Sequence, residues 1–160
     1  LPYGETGEIY MRGLGLMPGY FRDQTITEQV MKPGGWYASG DLGRQSADGA
    51  LQVVGRLKEM IIRSGFNVYP GEVEAVLLNY PGVQKAAVIG RKTADGNEEI
   101  LAFVEPKFGI EIDASALQLH AHTHLTAYKR PYAITVVADM PMTLSGKILK
   151  RELLQRISHD

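Results

Sequence analysis

The pattern of apolar and polar positions separates the chain into two parts with different predicted elements. From about residue 58 onward, strand-like apolar runs alternate with stretches of helical spacing. After Pro70, apolar residues recur at i, i+3, i+4 and i+7, which predicts a helix beginning there with one buried face. That face comprises Val73, Val76, Leu77 and Tyr80. Short apolar runs predict strands at residues 60–62, 66–68, 83–89, 100–104 and 134–137.

Two further helices are predicted in this second part. Asp113 is a good N-cap for a helix whose apolar stripe comprises Ala114, Leu117, Ala121 and Leu125. A last amphipathic helix is predicted over residues 149–157. Residues 57–160 therefore indicate a compact α+β domain of ordinary size.

Residues 1–56 have a different texture, with many glycines, several aromatic residues and short apolar runs. Strands are predicted at 8–12, 35–37 and 50–54, and Asp48-Gly49 is a good hairpin turn. This part is predicted to be β-rich and barrel-like but short for a closed barrel. The fold class is therefore α+β, with a domain junction at residues 55–58.

Composition excludes several classes of function. The 160 residues carry a net charge of −1, which does not favour a broad nucleic-acid-binding surface, and no apolar run is long enough to span a bilayer. The absence of cysteine excludes disulfides, thiolate metal sites and a cysteine nucleophile, and it fits the cytoplasm. Because the sequence opens at Leu1 on a turn-rich stretch, we expect a C-terminal piece of a longer protein.

Two glycine-containing segments resemble phosphate-binding loops but fail on spacing. Residues 13–19 are one residue too long for a dinucleotide-binding loop, and Pro18 interrupts them. Residues 146–147 have Pro141 where a Walker loop needs glycine, and Ile148 where it needs Ser or Thr. Both interpretations are discarded.

His120, His122 and His124 suggest a metal site, because His120 and His124 are one helical turn apart. No carboxylate lies within a helical turn of them. His124 falls near the apolar stripe, whereas His122 falls on the opposite flank of the helix. Structural metal sites need converging ligands. We therefore expect two surface histidines, one packed histidine and no metal.

Three charged residues are candidates for chemistry. Asp41 follows a strand and Gly40, so it is either a turn cap or an acceptor for a ribose diol. Arg56 is either a surface residue or a planar donor to ribose or phosphate. Lys147 lies on a Ser-Gly turn just before the last helix, where its ammonium group can reach into another site.

Five ordered segments, covering nearly the whole chain, resemble the core motifs of adenylate-forming enzymes, the superfamily of acyl-CoA synthetases, peptide-synthetase adenylation domains and luciferases. Each segment is a weak signal alone, whereas the ordered set is specific. The segments are residues 4–13 with 19–21, residues 36–43, residues 55–61 continuing through 67–74, residues 125–131, and residues 140–151 around Lys147. The resemblance implies that residues 57–160 are a C-terminal lid domain and residues 1–56 the end of the large N-terminal domain.

The resemblance implies two half-reactions. A carboxylate attacks the α-phosphate of ATP to give an acyl-adenylate and pyrophosphate, and the thiol of CoA then displaces AMP. It implies that Lys147 is catalytic in the first step, that Asp41 and Arg56 bind ATP or AMP, and that Lys58 is a hinge. A CoA-binding turn is implied at Ser64, Gly65 and Phe66. Mg²⁺ would accompany ATP, with its ligands outside this chain.

Within the superfamily, residues 64–74 resemble the acyl-CoA synthetase form, and fatty-acyl-CoA synthetases most. The predicted substrate is therefore a fatty acid. Two alternatives stay open: an adenylation domain that loads a carrier protein, and a non-catalytic lid module. The isolated chain is expected to be inactive. Residues 91–97 depart from the usual proline-containing loop, and we expect them to be remote from the motifs.

Overall fold

The computed structural model describes residues 1–157 and divides the chain into two compact units, Leu1–Lys58 and Glu59–Asp160. The division falls at the end of the predicted junction, residues 55–58, and two residues after the predicted domain boundary at residue 56. Whether these units are the end of a large domain and a complete lid domain stays a prediction.

The first unit is a small sheet built around one long strand. Its elements are β1 (Thr6–Met11), α1 (Gln24–Val30), β2 (Met31–Lys32), β3 (Trp36–Gln45) and β4 (Leu51–Arg56). β3 pairs antiparallel with β1, with β2 at its start and with β4 at its end. The β3–β4 hairpin turns at the predicted Asp48-Gly49, where Ser46 N–H donates to the carbonyl of Ala50 at 2.9 Å.

The helix α1 is an element that the apolar pattern did not predict. Asp23 caps it by accepting a 2.9 Å hydrogen bond from Ile26 N–H. None of its residues is buried, so no apolar stripe marks it in the sequence. The prediction for residues 1–56, a β-rich segment, named strands and did not include this helix.

The first unit has little core of its own. Among residues 1–58, all of which the structure describes, Ala38 and Leu42 are the buried apolar side chains. Large apolar side chains at Leu14, Phe21 and Val53 are exposed. Strand pairing, rather than burial, is therefore the main organising interaction in this unit.

The second unit is a mixed sheet with helices on both faces. Its elements are β5 (Ile61–Arg63), β6 (Phe66–Val68), α2 (Pro70–Leu78), β7 (Val83–Lys92), β8 (Glu98–Pro106), α3 (Ala114–His124), β9 (Ala133–Val136) and α4 (Lys150–Ile157). β7, β8 and β9 form one sheet in that order, with β7–β8 antiparallel and β8–β9 parallel. β5 and β6 form a separate hairpin.

The alternation of side chains along β8 explains the three layers. Ile100, Ala102 and Val104 pack in one core cluster with α2 and α3, including Val73 and Leu117. The intervening side chains face the other way, into a second cluster with α4 that contains Leu101, Phe103, Met140 and Leu153. Because both faces of β8 are covered at its centre, residues 100–104 form an unbroken apolar run. The predicted α+β, three-layer architecture is confirmed.

Individual predictions fail mainly at the ends of elements. Leu117, Ala121 and Leu125 are buried as predicted, but Ala114 is exposed, because it lies in the first turn of α3, beyond the packed face. β7 and β8 continue past their apolar runs through the pair Arg91↔Glu99, since ladder pairing does not require apolar side chains.

No helix in the described part of the chain is long and apolar enough to cross a membrane.

Candidate functional site

Asp41 and Arg56 form an ion pair across neighbouring strands of the first unit. They are directly opposite in the β3–β4 register, and Arg56 Nε lies 3.1 Å from Asp41 Oδ1. Asp41 therefore lies within a strand and is not a turn cap. Its side chain is 35% exposed and that of Arg56 is 64% exposed, so both can still contact a ligand. Together they present carboxylate acceptors beside guanidinium donors, which suits a ribose diol.

A break in strand pairing positions Asp41. The β1–β3 register shifts between Glu8 and Tyr10, so residues 39–41 bulge opposite Ile9. Gly40 takes φ +74°, a conformation that favours glycine, and its N–H donates to Glu8 Oε1 at 3.0 Å. Ser39 Oγ accepts from Asp41 N–H at 3.0 Å and donates to the carbonyl of Ile9 at 2.8 Å. The bulge thus fixes the backbone that carries the carboxylate.

Tyr37 lies near this pair and is hydrogen-bonded to Tyr20, and neither tyrosine was among the predicted site residues. The pKa of Tyr37 is raised, first by a side-chain hydrogen bond with Tyr20, then by burial and by the nearby charge of Asp41, while Arg56 opposes the rise. Tyr37 therefore keeps its proton and can donate a hydrogen bond. The sequence signal was its position four residues before Asp41 in the same motif.

Lys147 lies on a tightly closed turn in the second unit. Thr143 N–H donates to the carbonyl of Lys147 at 2.8 Å, and Gly146 N–H donates to the carbonyl of Thr143 at 2.9 Å. Gly146 has φ +82°, which a side chain would strain. Lys147 N–H also donates to Thr143 Oγ1 at 3.1 Å. Backbone and side-chain bonds therefore both hold the turn.

The side chain of Lys147 projects from this turn. The residue is exposed, and its Nζ makes no hydrogen bond or ion pair with the described residues 1–157. The turn is anchored on both sides by its neighbours: Met140 is buried in the sheet core, and Leu149 N–H donates to the carbonyl of Pro141 at 2.7 Å. The ammonium group of Lys147 is therefore carried by a turn whose backbone is anchored on both sides.

Lys150 ties the helix after this turn to the start of the second unit. Its Nζ lies 2.8 Å from Glu59 Oε2 and 3.0 Å from Glu74 Oε1. Burial by itself lowers the pKa of Lys150, but the two carboxylates outweigh it and the net pKa is raised. The position of α4, and with it the end of the Lys147 turn, is therefore electrostatically linked to Glu59.

Lys58 is the last residue of the first unit. It is exposed within a 3-10 turn over Leu57–Glu59 that joins β4 to β5. The predicted hinge residue thus adjoins the boundary between the two units. Its role as a hinge stays a prediction.

Ser64 and Gly65 form the two-residue turn of the β5–β6 hairpin. Both have positive φ, +51° and +80°, and Arg63 pairs directly with Phe66. Two left-handed residues are the arrangement of a type I′ turn, whose twist matches that of paired strands. Ser64, Gly65 and Phe66 are all exposed. Another molecule can therefore approach the backbone of the turn, especially at Gly65, which has no side chain.

The ring of Phe66 stacks on Tyr128, with centroids 4.5 Å apart and planes at 19°. Lys129 Nζ forms a 2.7 Å ion pair with Glu72. These contacts connect two segments that the sequence motifs marked separately, residues 64–74 and 125–131. Tyr128 is half-buried beneath Phe66, so the exposed aromatic ring has a fixed support.

Residues 91–97 are not remote from the motifs, and that expectation was wrong. Asn97 Oδ1 accepts a 2.8 Å hydrogen bond from Ser64 N–H, although the two residues are 33 positions apart. Glu98 Oε2 accepts from Ile62 N–H at 2.6 Å. Sequence separation concealed this contact, because the long β7–β8 ladder carries its loop back to the β5–β6 hairpin.

The three histidines of α3 do not all converge: the ring centroids of His120 and His124 lie 4.2 Å apart, whereas His122 Nε2 lies 3.4 Å from Gln118 Nε2. His120 is half-buried and packs edge-on against Tyr80, whereas His122 and His124 are exposed. The packed histidine is therefore His120 rather than the one nearest the predicted stripe, His124. Within residues 1–157, no three His, Asp or Glu side chains are grouped to hold a metal ion.

The chain matches a known family and known enzymes. Residues 72–147 match the family described as the AMP-binding enzyme C-terminal domain. The chain is 42% identical to a feruloyl-CoA synthase of Amycolatopsis sp, over 98% of the chain and 32% of that protein. It is 39% identical to a long-chain-fatty-acid–CoA ligase of Salmonella typhimurium, over 94% of the chain and 26% of that protein.

Solved structures agree with these sequence matches. The amide bond synthetase McbA from Marinactinospora thermotolerans superposes with a TM-score of 0.89 at 36% identity, covering 98% of this chain and 32% of that one. ATP-bound MatB from Rhodopseudomonas palustris gives 0.90 at 33% identity, covering 98% and 31%. The chain spans about a third of the length of these proteins. The matches show that the chain contains an AMP-binding enzyme C-terminal domain, and that its curated relatives are acyl-CoA ligases and its structural neighbours adenylate-forming enzymes.

Proposed function

We propose that the chain is the C-terminal part of an ATP-dependent acid–CoA ligase. A carboxylate oxygen attacks the α-phosphorus of ATP, the bond to the β-phosphate breaks, and pyrophosphate leaves. The CoA sulfur then attacks the acyl carbon of the adenylate, the carbon–oxygen bond breaks, AMP leaves, and the thiol proton is lost to a base. The observation that carries the proposal is Lys147, an exposed ammonium group held on a braced turn.

In the first half-reaction, Lys147 acts on charge that develops on the α-phosphate and the carboxylate. A compact cation on a flexible stem suits this task, and a positioned donor contributes most in the transition state. Asp41 accepts hydrogen bonds from the ribose hydroxyls, and Arg56 donates to the ribose region. The ion pair between them, at 3.1 Å, supports this assignment because it sets both groups at one ligand-accessible edge.

In the second half-reaction, the second unit turns about Lys58. This turn withdraws Lys147 and brings the Ser64–Phe66 segment to the acyl-adenylate. Lys147 and that segment belong to the same compact unit, so one rigid-body rotation can move both. Gly65 lets the pantetheine arm of CoA pass close to the backbone.

ATP is proposed as substrate because relatives bind it, MatB among them. Mg²⁺ would neutralise phosphate charge, and its ligands would come from outside this chain. The acyl pocket and the phosphate loop of the superfamily are also not represented by the recognised motifs. We therefore propose that residues 1–160 alone do not form an adenylate.

The relatives of this chain differ in the acid and in the acceptor that their names record. The names of similar proteins cover ferulate, long-chain fatty acids and sulfoacetate, so a fatty acid is one choice among several. CoA is favoured as acceptor because these relatives are CoA ligases. The similarity to McbA, an amide bond synthetase, supports an amine as the second candidate acceptor.

A panel of acids tests the proposal in the full-length protein that carries this chain. Palmitate, ferulate, 2-succinylbenzoate and sulfoacetate are each supplied with ATP and Mg²⁺, and acid-dependent exchange of labelled pyrophosphate into ATP is measured. We expect one class of acid to support exchange and, after addition of CoA, to yield its thioester. Omission of each acid is the control.

Absence of exchange with every acid would contradict the ligase proposal. Exchange without a thioester, together with amide formation when amines replace CoA, would reject CoA and favour the second acceptor.

A further inference from the structure

The outer edge of the β5–β6 hairpin is bonded to the loop between β7 and β8. Ile62 pairs with Asn67, and its N–H points away from β6 to donate to Glu98 Oε2 at 2.6 Å. Ser64 N–H, in the turn itself, donates to Asn97 Oδ1 at 2.8 Å. Asn97 Nδ2 lies 3.4 Å from Ser64 Oγ. The consecutive residues Asn97 and Glu98 therefore accept hydrogen bonds from the N–H groups of Ser64 and Ile62, along the outer edge of the hairpin.

The loop that supplies Asn97 is closed by its own hydrogen bonds. Thr93 N–H donates to the carbonyl of Asn97 at 3.0 Å, and Gly96 N–H donates to the carbonyl of Thr93 at 3.0 Å. The side chain of Asp95 accepts from Thr93 Oγ1 and, at 3.2 Å, from Asn97 N–H. Asn97 is half-buried, whereas Asp95 is exposed. The loop thus presents the Asn97 amide from a restrained backbone.

The turn that receives this amide needs external support. Its two strands have three residues each, and short isolated hairpins are marginally stable. Ser64 also has φ +51°, which is unfavourable for a residue with a side chain. A hydrogen bond from an immobilised side chain offsets this cost and selects one geometry of the turn.

We propose that Asn97 is a positioning residue for CoA: it fixes the Ser64–Gly65 turn in the shape that receives the pantetheine arm. The proposal rests on the proposed function, since it assigns Asn97 to the second half-reaction of the same enzyme. Asn97 acts through Ser64 and does not itself touch the reacting atoms. It has no part in adenylate formation.

The test compares Asn97→Ala, Asn97→Asp and the control Asn79→Ala in the full-length protein. Asn79 is exposed at the end of α2, in the same unit but away from the hairpin. Hydrogen exchange of the Ser64 amide reports the contact directly. Pyrophosphate exchange reports adenylation, and the KM for CoA reports the second step.

We expect Asn97→Ala to accelerate exchange of the Ser64 amide and to raise the KM for CoA about fivefold, the scale of one lost hydrogen bond. The rate of adenylation should change by less than about twofold, which is smaller than the effect of losing one hydrogen bond. Asn97→Asp keeps the oxygen acceptor and should retain wild-type Ser64 exchange and most of the CoA affinity. Asn79→Ala should match the wild type in every measurement.

Unchanged Ser64 exchange and unchanged KM in Asn97→Ala would overturn the proposal. Equal losses in both half-reactions would indicate general destabilisation and would also overturn it. If the wild-type protein forms no adenylate, the proposed function fails, while the Ser64 exchange comparison still decides whether Asn97 holds the turn.

Discussion

At the scale of the single residue, Glu105 links the sheet to the segment that carries the candidate lysine. Its carboxylate is buried on β8, accepts a 2.7 Å bond from Lys85 Nζ and accepts another at 2.7 Å from Met140 N–H. Burial by itself raises the pKa of Glu105, but these two donors outweigh it and the net pKa is lowered. The ionised form is therefore the one that the fold stabilises.

Glu105→Gln should destabilise the chain by about 1–3 kcal/mol, because it removes the charge that faces Lys85 and misplaces one amide donor. The folded pKa of Glu105 lies below its unfolded value, so its contribution is fully present above the unfolded pKa. It is lost as pH falls through the folded pKa. Urea unfolding at a series of pH values measures both effects.

The wild-type advantage over Glu105→Gln should shrink steadily as the solution is acidified. Glu111→Gln, at an exposed position, is the matched control and should unfold like the wild type. A difference that stays constant across the acidic range would show that ionisation of Glu105 does not matter to the fold.

Single residues with a chemical signature were found from the sequence, and their partners were not. Lys147 and Asp41 were singled out by type and local motif. Asn97 was set aside because its contact with Ser64 spans 33 positions. The hydrogen bond from Met140 N–H to Glu105, which anchors the segment before Lys147, was also not predicted. It exists only because the fold places this segment beside β8. Such contacts exist only after the chain has folded.

At the scale of elements, the spacing of apolar residues predicted the helices and strands that are held in place by burial of one or both faces. The buried face of α2 and the apolar run of β8 follow directly from packing on the sheet. The pattern missed α1, whose residues are not buried, and it shortened β7 and β8 where pairing continues through charged residues. The elements that the sequence predicted are those with buried apolar side chains, and elements without such burial were missed or shortened.

The 3-10 turn over Leu57–Glu59 is the element in which the hinge proposal can be tested. Lys58→Pro fixes φ at residue 58 and restricts Leu57 as well, so it should impede rotation between the two units. We expect adenylation to be spared and thioester formation to fall. Pyrophosphate exchange and thioester formation from supplied acyl-adenylate measure the two steps.

Lys58→Ala is the control, because it removes the side chain and leaves the backbone free. It should support both steps. Normal rates of both steps in Lys58→Pro would show that Lys58 is not the hinge.

At the scale of the whole molecule, the two units differ in what holds them together. The second unit has two buried clusters, one on each face of its sheet. The first unit has few buried apolar side chains and presents the Asp41–Arg56 pair from a bulged strand. Under our proposal, the first unit would bind the nucleotide through this pair, and the second would carry the groups for the two half-reactions.

The most direct test of this account is the effect of Lys147→Ala on the two half-reactions in the full-length protein. Loss of one transition-state contact should slow adenylation about 10²- to 10³-fold. Thioester formation from supplied acyl-adenylate should change far less, and Lys107→Ala, at another exposed lysine of the second unit, should affect neither step. Equal losses in both half-reactions would contradict the account.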